Sequence, residues 1–372
     1  TGHYTSPHLV SVTERIKING TDLKEEQFAH HATTVRKAAE KLLAQGTIQA
    51  SPTFFEQVTA IAFLAFKEAE VDVAILETGL GGRLDSTTAA NAQTVGITQI
   101  ALDHEEYLGS TLADIAAEKA AIIRPFVWHV IVADHQPPEA LAVIKRRCDG
   151  LNITPAINKC SVQVEDVSAD GRFCATFRTP MFDYEQVWLG LRGEHQIDNV
   201  AVAIQLAESV KSLGWADMPK TAVCNGIAEA RNPGRLEIIG NRPMFLLDGA
   251  HNPAGARSLR AYLDTFASRP LTLVFGAMRD KRLSDIAEIL LPAADQVILT
   301  PVDNPRAAPV ESLRAIAELH LPSDQIAVVA SSDDALTTAI ANTSPNGMIC
   351  VTGSLYMIGE MRPAILRRAK LA

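Results

Sequence analysis

The chain has 372 residues, of which 47% are hydrophobic and 5% aromatic, and its formal net charge is -9. That length exceeds one ordinary core and sets two domains as the expectation, while the aliphatic-rich composition suits an α/β enzyme and excludes a disordered or fibrous chain. The negative balance argues against a nucleic-acid partner, and it leaves room for a local cationic pocket.

Five cysteines, Cys148, Cys160, Cys174, Cys224 and Cys350, are odd in number and lack CxxC spacing. They exclude a disulfide framework and a zinc site of that type, and they point to a reducing cytoplasm. No apolar run approaches the roughly 20 residues of a membrane helix, and no signal peptide is visible, so no membrane partner is expected.

In chain order, TGHYTSPHLVSVTERIKING (1–20) is β-rich and closes on Asn19-Gly20, a two-residue hairpin signal. FFEQVTAIAFLAFKEAE (54–70) and LADIAAEKAAII (112–123) place apolar residues at steps of three and four, the helical period. VDVAILETG (71–79), TVGITQIA (94–101) and HVIVAD (129–134) are near-continuous apolar runs, as expected of strands buried on both faces of a parallel sheet. SVQVEDV, FCATFRT and EQVWLGL, between about 160 and 192, predict an antiparallel insert, and HQIDNVAVAIQLAESVKSL returns to helix. After Asn232-Pro233-Gly234 a second alternating series begins, with strands predicted at MFLLD (244–248), LTLVFG (271–276), QVILT (296–300), IAVVA (326–330) and MICVTG (348–353).

Ligands of open parallel sheets sit at the carboxyl edge, so the loops leaving these strands are the candidate sites. They are Glu77 to Asp85, Leu102 to His104, Asp248 to Pro253, Gly276 to Lys281 and Thr352 to Ser354. GLGGRLD is not a dinucleotide fingerprint, because Leu84 stands where its last Gly would be, and no GxxxxGK[ST] phosphate loop occurs in the 372 residues. Glu77 at a strand end, with glycines and Asp85, suits a hard cation such as Mg²⁺, and a tight turn with a solvated Glu77 explains the same loop equally well. Singly, His104 reads as a polar loop residue and Lys119 as a helix-face cation. Together, DHEEYLGSTLADIAAEKAAI sets both toward the crevice of Glu77.

TSPHL, ERIKING, LETGLGGRLDST, ALDHEEYLG, IAAEKAAI, HQIDN, NPGRLE, LDGAHNP, GAMRDK and VTGSLY occur in one order over essentially the whole chain. That order resembles the folylpolyglutamate synthases and the bifunctional dihydrofolate synthase/folylpolyglutamate synthases, which are Mur ligase-like amide ligases. Thr88 and Ala121 depart from it, at positions where relatives usually have Asn and Gly.

The resemblance implies an α/β fold with a parallel-sheet, ATPase-type domain over 1–234 that carries the antiparallel insert, and a smaller Rossmann-like domain over 235–372. It implies a monomer whose small-molecule substrates are ATP, L-glutamate and a folate, with dihydropteroate as a further acceptor. Chemistry would run through an acyl phosphate. By resemblance Ser6, Glu77 and His104 hold Mg²⁺, two ions in all, and Lys119, with His104, is catalytic, carrying a carbamate. Asn199, Arg235, Asp248 and His251 contact the nucleotide. Helix capping by Asp or Asn is the plainer reading of DGAHNP. Relatives carry a Gly-rich phosphate loop a short way before TSPH, so the chain is expected to be an N-terminally truncated sequence that binds ATP poorly as it stands. A site between two domains implies hinge closure. Besides the folate-glutamate ligase, two readings stay open: another Mur-type ligase acting on a different carboxylate, and a non-catalytic nucleotide-binding relative.

Overall fold

Asn19 and Gly20 take φ values of 48° and 81°, the left-handed conformations that a two-residue hairpin of opposite twist requires. They join the strands Ile16–Ile18 and Thr21–Asp22, and the Lys17 ammonium pairs with Asp22 across the turn. This is a computed structural model; it describes residues 1–157 and 159–369. The chain divides into one unit of residues 1–100, 108–157 and 202–218, and a second of residues 101–107, 158–201 and 219–372.

In the first unit, a four-stranded sheet runs Thr21–Asp22, Ile16–Ile18, Gly2–Tyr4, Ala74–Leu76, with the last pair parallel. The helix Phe54–Glu68 starts on a capping box, Thr53 with Glu56, and buries Val58, Ile61, Ala62 and Ala65 against Tyr4 and Ile16. Tyr4 and Ile16 are fully buried, and burial of side chains of this size contributes about 1.5–3 kcal/mol each. The run at 71–79 yields only the strand Ala74–Leu76, and Ile75 is 57% exposed. That corrects the expectation of a strand buried on both faces: Gly2–Tyr4 is its strand partner among the described residues. A second, parallel pair consists of Thr94–Ile97 and His129–Val132. Leu112–Ala120 forms the helix expected there, begun by the Thr111 side chain accepting from the Asp114 amide. The helix Glu25–Ala44 escapes the periodicity reading; His31 is its one buried residue, and its contacts with the core come from half-buried Phe28, Ala32 and Val35.

In the second unit, Ser161–Val167, Arg172–Arg178 and Asp183–Arg192 form the antiparallel insert. Its first turn is fixed by the Tyr262 hydroxyl, which donates to the Asp170 carbonyl at 2.9 Å. A six-stranded sheet runs Glu237–Ile239, Met244–Asp248, Met348–Thr352, Leu271–Phe275, Gln296–Leu299, Ile326–Val328. All its pairs are parallel except the first, and Glu237–Ile239 is the strand the sequence reading passed over. Leu246, Leu273, Leu299 and Cys350 are fully buried in its core. Asp248, Thr352 and Phe275 are level in register, which sets the loops after them along one carboxyl edge.

Candidate active site

In the first unit the strands Gly2–Tyr4 and Ala74–Leu76 end side by side. The Glu77 amide continues their ladder by donating to the Tyr4 carbonyl at 2.9 Å, and the Glu77 carboxylate accepts from the Ser6 amide, also at 2.9 Å. Ser6 and Glu77 thus meet at one strand edge, with Glu77 exposed and Ser6 half-buried. Asp85 has the other role in that loop. It is buried, and its carboxylate accepts from the amides of Gly79, Leu80 and Thr87 at 2.9, 3.1 and 2.9 Å and from the Thr87 hydroxyl. All its lone-pair directions are engaged, so it is a staple of the loop; Glu77 is the carboxylate left toward solvent.

Lys119 sits half-buried in the last turn of its helix. Gly82 brings the glycine loop against that turn: a Cβ there would lie 2.8 Å from the Lys119 carbonyl oxygen and 3.0 Å from that of Glu118. Arg83 fastens the contact, its Nε 2.8 Å from Glu118 Oε1.

The second unit holds a pocket lined by Asp103, His104, Glu105, His251, Asn252 and Lys281, among others. Asp103 stands at its centre. Oδ1 accepts from Lys281 Nζ and from the His104 amide, each at 2.9 Å; Oδ2 accepts from Asn252 Nδ2 at 2.9 Å and faces His251 Nε2 at 3.4 Å. Burial alone would raise the Asp103 carboxyl, but His251, Lys281 and Asn252 outweigh it and hold it well below the usual carboxylate range. His104 is exposed, and its backbone takes a φ of 51° just ahead of the helix Glu105–Leu108. His251 Nδ1 lies 2.7 Å from the Gly249 carbonyl oxygen, so the ring is held from both sides.

Asn252 does two jobs. Its Oδ1 accepts from the Gly255 amide at 2.7 Å, capping the helix Pro253–Phe266, and its Nδ2 reaches Asp103. Asp248 is buried, accepting from the amides of Leu236 and Ala250 at 2.9 and 3.0 Å. Burial pushes its carboxyl up, against the pull of nearby Arg235 and of those amides. Arg235 Nη1 donates to the Gly249 carbonyl at 3.3 Å. Asn199 donates to Gln196 at 3.1 Å in the helix His195–Ser212, and His195 beside it is lowered by burial and by the Arg235 charge.

Ser6, Glu77 and Lys119 therefore belong to the first unit, and His104, Asn199, Arg235, Asp248 and His251 to the second. The sequence reading assigns no role to Asp103 or Lys281, and its capping reading of DGAHNP holds for Asn252, whose contact with Asp103 it does not foresee. Each lies in a loop it names as a candidate, but their pairing joins positions 149 and 178 residues apart, which no local pattern encodes.

Ser6 and Glu77 offer hard oxygen donors, a hydroxyl and a carboxylate, on adjacent strand ends. Mg²⁺ takes one or two protein oxygens and completes its shell with phosphate oxygens and water, so this donor set fits it. Among the described residues no group of three or more His, Cys, Asp and Glu side chains could hold a metal by itself.

Models of two families match the chain: the Mur ligase middle domain over residues 22–207, and the Mur ligase glutamate ligase domain over residues 234–355. The chain is 33% identical to the dihydrofolate synthase/folylpolyglutamate synthase of Bacillus subtilis, over 97% of its own length and 83% of the relative's. It is equally 33% identical to the folylpolyglutamate synthase of Lacticaseibacillus casei, covering 98% and 83%. Among solved structures, the Mycobacterium tuberculosis folylpolyglutamate synthase complexed with ADP superimposes with a TM-score of 0.88 at 31% identity, over 98% of this chain and 84% of that one. The E. coli FolC complex with DHPP and ADP gives 0.85 at 28% identity, over 99% and 82%.

Proposed function

Because this chain belongs to the folylpolyglutamate and dihydrofolate synthases of the Mur ligase family, we infer that it is an ATP-dependent ligase that adds L-glutamate to folates. The observation that carries the reading is the match over nearly the full chain, with the polar side chains described above gathered at strand carboxyl edges as ligand sites of parallel sheets are. ATP is the co-substrate: its terminal phosphoryl group passes to the acceptor's carboxylate, and the amine of glutamate then displaces phosphate from the acyl phosphate to form the amide. L-Glutamate and the folate are the other small-molecule substrates, and dihydropteroate is the further acceptor we propose.

Negative charge gathers first on the transferring phosphoryl group and then on the tetrahedral centre, so fixed cations and donors are what such a site must supply. We assign Ser6 and Glu77 to Mg²⁺; when bound, the ion would neutralise phosphate charge and align its oxygens. Arg235 offers a permanently charged donor fork for phosphate, and Asn199, Asp248 and His251 complete the nucleotide contacts in this reading. Lys119 acts as a carbamate, formed when its neutral amine adds carbon dioxide and releases a proton, which turns a cation into a carboxylate-like group beside the glycine loop.

Glutamate-dependent ADP release, measured with tetrahydrofolate and separately with dihydropteroate, tests the reading. Turnover with tetrahydrofolate supports the folate ligase, and turnover with dihydropteroate adds the second acceptor. Turnover with only an unrelated carboxylic acid overturns the substrate assignment.

A further inference from the structure

We propose that Asp103 is a positioning residue, whose carboxylate sets Lys281 and His251 in the pocket without itself meeting substrate. The inference rests on reading the pocket as part of the glutamate ligase. Three hydrogen-bond donors converge on the two carboxylate oxygens of Asp103, from His104, Asn252 and Lys281, and the His251 ring faces Oδ2 at 3.4 Å. With both oxygens taken, Asp103 has little capacity left to bind a ligand of its own. The groups it holds are different. The Lys281 side chain is 10% exposed, and its ammonium depends on Asp103 for charge compensation; no other acidic partner is recorded for it among the described residues. The His251 ring is clamped between the Gly249 carbonyl oxygen and Asp103 Oδ2, which fixes its plane. The Asn252 amide, already capping its helix, ties the start of that helix to the same carboxylate. Removing one partner of this partly buried, hydrogen-bonded charge pair leaves the other charge poorly compensated, which is the larger part of the loss.

A neutral isostere tests this. Asp103→Asn keeps the shape and one acceptor oxygen, and Asp103→Glu keeps the charge on a longer arm. In the full chain, Asp103→Asn is expected to lower kcat/KM for glutamate-dependent ADP release by roughly 30-fold or more, the scale of breaking such a pair. KM for ATP should rise as well, because His251, one of the two groups held, is assigned to the nucleotide. Asp103→Glu should recover a measurable part of the loss. Amine acylation mapped by peptide mass, which needs no turnover, should label Lys281 several times faster in Asp103→Asn than in the wild type, with other lysines unchanged.

Wild-type turnover on each acceptor judges the substrate assignment. The ratio of variant to wild type, on whichever acid supports turnover, judges the positioning role, so the two fail separately. An Asn variant with near wild-type kcat/KM and unchanged Lys281 labelling overturns the proposal. So does a loss that Asp103→Glu does not relieve at all, with Lys281 labelling unchanged.

Discussion

Two carboxylates eight residues apart in one loop do opposite work, and substitution should separate them. Glu77 is exposed and accepts from the Ser6 amide, whereas Asp85 is buried and holds three amides and a hydroxyl. Glu77→Gln keeps the side-chain shape but removes the charge, so turnover should fall by about 100-fold or more, the scale of losing a charge-stabilising group, while the melting temperature stays within a few degrees. Asp85→Ala leaves buried donors unsatisfied and should destabilise by roughly 1–3 kcal/mol, read in denaturant unfolding. The reverse pattern, an unstable Glu77→Gln and a stable Asp85→Ala, would exchange their roles. Lys119 gives a sharper chemical test. If it works as a carbamate, Lys119→Ala should be nearly inactive and regain activity with short carboxylic acids, which fit the vacated space; an active Lys119→Arg would show that only a positive charge is needed there.

At the scale of elements, the contact between the glycine loop and the Lys119 helix is made by backbone, and backbone cannot move aside. A methyl group at Gly82 meets the carbonyl oxygens of Lys119 and Glu118 at 2.8 and 3.0 Å and the Ile122 nitrogen at 3.1 Å. Gly82→Ala should therefore cost about 1–3 kcal/mol, as overpacking does, and lower turnover with it. Circular dichroism melting checks the first effect, and a melting temperature equal to wild type would show that the loop has slack. Elements also show what a sequence can display. The strands Met244–Asp248, Leu271–Phe275, Gln296–Leu299 and Met348–Thr352 fall within a residue of the apolar runs that predict them, because a strand covered on both faces writes burial into every position. Glu237–Ile239 is too short to carry a period, and Glu25–Ala44 is too polar. The candidate site was legible as a set of loops, because carboxyl edges are predictable from strand order. The partnership of Asp103 with Lys281 was not, since it depends on which loops the fold brings together.

For the whole molecule, the main core of the second unit is contiguous in sequence: its buried residues run from Leu236 to Cys350. A fragment spanning 234–369 should therefore fold alone and melt in one cooperative transition. A fragment that shows no transition in calorimetry would mean that the insert, with its Tyr262 to Asp170 anchor, is required for that core. No helix among the described residues is long and apolar enough to cross a membrane.

The hydrogen bond between Asp103 and Lys281 also bears on the order in which the protein acquires its properties. Closing a loop of 178 residues is entropically expensive compared with pairing neighbours, and it is rewarded only when both flanking structures already exist. The sheet strands and their helices form from nearer contacts, so the carboxylate finds its last donors near the end of assembly. Catalytic competence is then expected to return late in refolding, after secondary structure has recovered.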